Sequence, residues 1–505
     1  MSGSTMHRLA FGVLGTLLLA SAAHANAISE DDLRPHIEVL ASDAFEGREP
    51  GTEGERKTTA YISTEWQKAG LKPAATDGSW LDPVKLIRRG PGTAEFQFYA
   101  RGEKLRFSDD EIVLIGKEAV YSTDKLPLWF AGYGVNAEGK VTGDVAGKAV
   151  LVLADRPAFA ADEMKSVRAR REALIAAGAE AVIAIGGEQA EYPLIRRQLL
   201  ARPINLVSRE KRAALEGVVG ARFAVALVTA AGGDWDKLRK GADAADYAGT
   251  ALGVTGKFNV STEVNAFDSH NVIGKLPGKK PASGAVLYMG HWDHLGMCRP
   301  EGEEDRVCNG AVDNASGIAV MTEVARKLSK GKHDRDIYFV ATTAEESGLL
   351  GAYAFTEKPV VALDDIVVAL NIDTIAIAPR GAKVAIIGRG TTTFDAVIEK
   401  VAKKAKRKIE ESTESNAFIR RQDGWALTQK GVPALMVSGS FADQALLEAF
   451  LSDDYHGPDD ELTKDTKLGG AAEDATLHVE LGKHFASTRK QPAEKPAKPD
   501  NSTGG

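Results

Sequence analysis

From about Lys257 onward the chain alternates short, nearly unbroken apolar runs with longer amphipathic ones, and that alternation leaves few architectures open to it. NVIGKL, AVLYMGHWD, RDIYFVATTAEE, DDIVVALNIDTIA, KVAIIGRG and GVPALMVSG read as strands, whereas ASGIAVMTEVARKLSKG and TFDAVIEKVAKKAK read as helices. A strand with no polar face must be covered on both sides, and the helices between strands supply the cover. The expectation is an α/β fold: a mixed, mostly parallel central sheet with helices on both faces.

Upstream, DDLRPHIEVLAS and RKTTAYISTEWQKAGLKP read as helices separated by the Gly-rich turn FEGREPGTEGE, and the residues from Trp80 to Glu118 read as strands. A change of texture follows near Leu126. LPLWFAGYGV, GKAVLVLADRP and AVIAIGG look like buried strands around the helical run MKSVRARREALIAAGAE, and ARFAVALVT reads as one more strand. This stretch contains few candidate ligands and is expected to be an α+β accessory module over 118–250, inserted between 28–117 and 251–487 of the main domain. The Pro- and Lys-rich end, 488–505, is expected to be disordered.

With 505 residues, 44% apolar and 26% charged, the chain can bury more than one core. A net charge of −7 with scattered lysines and arginines argues against a nucleic-acid partner and against a sustained hold on anionic membrane, which leaves a small substrate. Residues 1–27 read as a secretory signal peptide: a weakly basic start, an apolar run from Leu9 to Ala20, and small residues at Ala23, Ala25 and Ala27. The run is short for a bilayer of about 30 Å, and no Cys follows to carry a lipid. The mature protein is therefore expected in the periplasm or secreted, without stable membrane association. In that compartment the only two cysteines, Cys298 and Cys308, are expected to pair, and closing so short a loop contributes roughly 2 to 3 kcal/mol. A thiolate metal site would need further cysteines.

Chemistry gathers where the apolar runs stop. His291 and Asp293 stand two apart after AVLYMG, so one can bind a metal while the other steadies it. Asp313 precedes a helix, where a carboxylate suits the dipole and can also offer one oxygen to each of two metals. Glu345 and Glu346 follow DIYFVATTA and point to opposite sides in extended backbone, so one can ligate while the other moves protons. Asp373 ends IVVALNID, where an unpaired carboxylate would be costly without a partner. His456, in DYHGPDD, says little alone.

In order and context these residues resemble the co-catalytic di-zinc exopeptidase family, which includes secreted bacterial aminopeptidases and glutamate carboxypeptidase II. LASDAFEGREPGTEGERKTTAYISTEWQKAGLKP resembles that family's opening motif, and the accessory module resembles its inserted protease-associated domain. The resemblance implies two Zn2+ per chain. His291 and Asp373 would bind one, Glu346 and His456 the other, and Asp313 both; Asp293 would orient His291, and Glu345 would be the general base. It implies an aminopeptidase acting on peptides, with a carboxypeptidase or dipeptidase on the same scaffold, or a non-catalytic peptide-binding relative, as the alternatives. One stretch departs from the family: where many relatives carry Arg-Ser-Asp-His, this chain has Arg421-Gln422-Asp423-Gly424-Trp425, which leaves Arg421 or Trp425 to contact substrate or simply to pack at the surface.

Overall fold

A computed structural model of the chain describes residues 27–106, 112–187 and 191–491. The expected signal peptide lies outside the described residues except for Ala27, as does the expected tail from 492 on; residues 488–491 are held, with Thr488 donating to Asp334 and Arg335 donating to Gln491 O. The chain divides into two compact units. One comprises the described residues up to Val84 and those from Asp268 on; the other runs from Lys85 to Phe267.

In the first unit the strands lie in the order Ala385–Ile387, Ala434–Ser438, Ile366–Asn371, Ala285–His291, Asp336–Thr342, and then the end of the long strand Thr250–Leu276. The inner pairings are parallel and the two outer ones antiparallel. Because successive side chains point to opposite faces, each strand serves two cores. Val286 and Tyr288 join Ile337, Phe339, Val368 and Leu370 beneath the helices Glu30–Leu40, Glu53–Lys68, Ser316–Ser329 and Gly469–Phe485. Leu287 and Met289 face the other way, with Tyr338, Val340 and Ala369, against the helices Leu350–Glu357 and Gly424–Thr428. The mixed, mostly parallel sheet covered on both faces is the expected one.

Local sequence sets the helix ends. Ser29 caps Glu30–Leu40 in a capping box with Asp32, and three acidic residues fill the first turn. The helix Ser316–Ser329 is buried from Ser316 to Ala325, because it runs through the middle of its layer rather than along the rim. Tyr288 ties strand to helix: its ring stacks on Phe339 at 4.9 Å and its hydroxyl donates to His478 O at 2.6 Å.

In the second unit the strands Val120–Phe130, Ala149–Leu153, Ala181–Gly186 and Leu215–Gly220 pair in parallel, with antiparallel partners Ile112–Gly116 and the first part of Thr250–Leu276. The expected module 118–250 falls within this unit. The unit also takes in Phe98, whose ring packs edge-on against Phe223 and Phe258 in one core. ARFAVALVT is not a strand: Ala221–Ala230 is a helix burying Phe223, Ala224, Leu227 and Val228. A nearly all-apolar run of this length carries no periodicity to separate helix from strand. Among the described residues no helix is long and apolar enough to cross a membrane.

Candidate metal centre

The parallel pairing levels the strand ends of the first unit, with His291 opposite Thr342 and Met289 opposite Asn371. The candidate residues emerge just past that line, at the carboxyl ends where ligands collect in such sheets. His291 closes its strand, Glu345 and Glu346 follow Asp336–Thr342 by a short turn, and Asp373 lies two residues beyond Ile366–Asn371. Asp313 comes from the loop before Ser316–Ser329, and His456 from the turn after Gln444–Ser452.

All of them meet. His291 Nε2 lies 3.1 Å from Asp313 Oδ1, 3.4 Å from Asp373 Oδ1 and 4.0 Å from Glu345 Oε2. His456 Nε2 lies 2.8 Å from Glu346 Oε2 and 3.5 Å from Asp313 Oδ2. The two oxygens of Asp313 thus face two different imidazoles. His291 Nδ1 is 3.1 Å from the carbonyl of Asp293. With Nδ1 turned to that carbonyl, Nε2 faces the carboxylate oxygens of Asp313 and Asp373, where either a proton or a metal ion would satisfy it. One atom each from His291, Asp313 and Asp373 falls within 4.8 Å of the others, and the same holds for His294, Asp313 and Glu346. This nitrogen and oxygen donor set suits zinc.

Asp293 is fully buried, and burial pushes its carboxyl up to about 7. Its carboxylate is 3.7 Å from His291 Nδ1. It accepts instead from the backbone N–H of Glu345 at 3.0 Å and of Glu346 at 3.4 Å. One residue therefore turns the imidazole through its carbonyl and holds the two-glutamate turn through its side chain. Burial raises the Glu345 carboxyl well above the ordinary range, with His291 opposing the rise and Glu346 and Asp373 adding to it. Burial and Asp313 push Glu346 up, but the His294 and His456 imidazoles outweigh them and hold it at about 2. Asp313 likewise lies well below the carboxylate range, because the hydrogen bonds from His291 and His456 overcome its burial.

His294, beside the ligand pair in HWDHLG, reads from sequence as a structural or supporting histidine rather than a ligand, whereas the other residues here were not singled out for these roles. His294 Nδ1 is 2.7 Å from Glu346 Oε1, and its Nε2 is buried without a partner. Asp460 accepts from the N–H groups of Val312 and Asp313. Asp423 accepts from Thr342 Oγ1 at 2.5 Å while its other oxygen is buried and unpartnered. Tyr455 stacks on His456 at 3.7 Å. The fully buried Arg48 comes from the Gly-rich turn. Only an arginine among glycines, and the acids in DYHGPDD, were available as signals. The adjoining cavity is lined by His291, Glu345 and apolar Phe418, Met436, Phe441 and Leu447, with Arg421 at its wall. Arg421 sits over the rings of Phe418 and Tyr455, whereas Trp425 packs against the second-face core with Arg420 over its ring. Cys298 and Cys308 are joined in a disulfide, with Cα atoms 5.7 Å apart.

Residues 271–479 match the sequence profile of peptidase family M28. Over that segment, which holds the sheet and the strand-end cluster, the chain is similar to peptidase family M28. It is 30% identical over 152 residues to a vacuolar membrane protease of Candida glabrata, covering 30% of this chain and 14% of that protein. It is 33% identical over 124 residues to aminopeptidase NAALADL1 of Mus musculus, covering 23% and 15%. It is 34% identical over 90 residues to aminopeptidase YwaD of Bacillus subtilis, covering 18% of each. These matches span under a fifth of each relative. Among solved structures, an aminopeptidase from Aneurinibacillus sp. strain AM-1 shares the fold, with a TM-score of 0.55 at 19% identity over 91% of this chain and 94% of that one.

Proposed function

We propose that this chain is an exported, zinc-dependent aminopeptidase that removes N-terminal residues from peptides. The observation that carries the reading is Asp313, whose two carboxylate oxygens face His291 and His456 separately at 3.1 and 3.5 Å. A carboxylate so placed suits a pair of zinc ions. His291 and Asp373 would hold one, Glu346 and His456 the other, and Asp313 both. Bound zinc would supply Lewis acidity, polarising the scissile carbonyl and making water a nucleophile near neutral pH. Glu345, beside the cavity and outside the ligand set, takes the proton from the attacking water and delivers it to the departing amine. Asp293 keeps Glu345 in place through its backbone N–H. The Tyr455 hydroxyl, at the same wall, donates to the carbonyl oxygen as negative charge develops there. Phe418, Met436, Phe441 and Leu447 take an apolar substrate side chain, and the acidic walls favour a cationic amino terminus.

We extend the proposal to residues 118–250 as a protease-associated domain, and to removal of residues 1–27 on export to the periplasm or beyond. Arg421 in the cavity wall favours one rival, a carboxypeptidase or dipeptidase that pairs the guanidinium with a substrate carboxylate. Hydrolysis of free and N-acetylated aminoacyl-anilides and of dipeptides, with chelation as the control, separates the readings. Cleavage of free-amine substrates alone, lost on chelation, is the expected result. Cleavage that requires a free carboxyl terminus establishes the rival, and a metal-free, inactive protein establishes a binding relative.

A further inference from the structure

Arg48 is 1% exposed, yet its guanidinium is bonded to no carboxylate. It donates to four backbone carbonyls: Nε to Trp292 O at 2.8 Å, Nη1 to Leu40 O at 2.8 Å and Asn309 O at 2.5 Å, and Nη2 to Gly310 O at 2.9 Å. Trp292 stands between His291 and Asp293. Asn309 and Gly310 lead directly into Asp313. One planar fork thus spans the two segments that bring the first histidine and the shared carboxylate to the centre. The same short segment is held from its other side by an anion, since the Asp460 carboxylate accepts from Val312 N at 2.8 Å and Asp313 N at 3.0 Å.

The turn that delivers Arg48 is fitted closely to these segments. Glu46, Gly47 and Arg48 all have positive φ, and a Cβ on Gly47 would lie 2.5 Å from Cys308 O and 2.7 Å from Gly296 O. A buried cation whose neighbours are neutral carbonyls is expensive unless negative charge lies nearby. Asp460, Asp293, Asp313 and Glu346 are the acids around it, and they form or adjoin the candidate metal cluster.

We propose that Arg48 is the positioning residue of the metal centre: its fork fixes the spacing between the His291 segment and the Asp313 segment, and its charge keeps the acidic cluster assembled before metal enters. The proposal rests on the zinc reading above. It assigns Arg48 no contact with substrate.

The test compares wild type, Arg48→Met, which loses fork and charge, and Arg48→Lys, which keeps the charge without the fork. Each full-length protein is stripped by chelation, titrated with zinc against a chromophoric chelator, and loaded with cobalt for its visible spectrum; circular dichroism and thermal unfolding follow the apo forms. The expected result is zinc affinity weakened at least about ten-fold in Arg48→Met, less in Arg48→Lys, with an altered cobalt spectrum in both folded proteins. Folded variants with wild-type affinity and spectrum overturn the proposal. If neither variant folds without metal, refolding in zinc decides: recovery supports the proposal, and failure even in zinc assigns Arg48 to the fold alone and overturns it. A wild-type protein that binds no zinc sinks the functional reading instead, so the two failures are distinct.

Discussion

Arg48 has a counterpart in the second unit. Arg170, 0% exposed, likewise donates to four carbonyls, those of Tyr133, Leu153, Ala154 and Asp155. Both guanidiniums tie loops together at the ends of parallel strands, and the pKa of each is lowered to about 10 by burial. The difference lies in what the tied loops carry. Beside Arg170 the acid is Asp155, which accepts from the Tyr133 hydroxyl and pairs with Arg239 at 2.9 Å. Around Arg48 the loops carry His291, Asp293 and Asp313. The same strand-end clamp occurs in both units, and under the proposal above it bears on a site only where the clamped backbone carries candidate ligands.

The largest expected effect separates the clamp from the chemistry. If Glu345 is the proposed proton acceptor and no ligand, Glu345→Gln should lower kcat about 10²- to 10⁴-fold with zinc content and apo stability unchanged. Asp313→Asn should lose metal and activity together; metal analysis showing the reverse pattern would exchange the two roles. Next comes Arg170→Met, which strands four carbonyls, three of them buried, and should cost about 3 to 5 kcal/mol of stability, read by denaturant unfolding. Zinc affinity of the folded fraction should not move. If it falls as far as in Arg48→Met, the distinction between the two clamps is broken.

A smaller effect concerns a histidine that belongs to neither clamp. His478 is fully buried, with Nε2 against Val437 O and Nδ1 without a partner, and burial lowers its pKa from 6.5 to about 4. The unfolded chain therefore takes up the proton first. Stability from this group is complete above pH 6.5, falls as pH drops towards about 4, and levels off below, for a loss of about 3 kcal/mol. Unfolding free energies measured across that window should flatten in His478→Gln.

The sheet was legible in the sequence because fully buried parallel strands are written as unbroken apolar runs. His291, Glu345 and Asp373 drew notice by following such runs, whereas Asp313 and His456 gained their proposed roles only from the order of the whole set and its resemblance to a family. Ile366–Asn371 followed by Asp373 is the clearest case. Arg48, Asp460 and Asp423 were opaque because most of their partners are backbone groups or a hydroxyl on distant segments, and a bond to a carbonyl leaves no mark on the residue that supplies it. The orientation of His291 hid in the same way: spacing suggested the Asp293 side chain, and the shorter contact is to its carbonyl. In the second unit ARFAVALVT was unreadable because its burial pattern is written in Ala, Val, Leu and Phe alone.

The smallest expected effect sharpens the comparison most. The disulfide closes the polar loop between Cys298 and Cys308 at its base, and Cys308 immediately precedes the Asn309 and Gly310 carbonyls that Arg48 holds, while its sulfur lies 3.8 Å from His456 O. Replacing both cysteines by serine frees that loop and should cost about 2 kcal/mol in unfolding. Arg48 and Asp460 still grip residues 309–313 from both sides, so zinc affinity should change less than about two-fold, well short of the ten-fold or more that outer-shell supports of a metal site usually command. A double serine variant that folds yet loses its zinc would show that the covalent link, rather than the guanidinium, sets the position of Asp313.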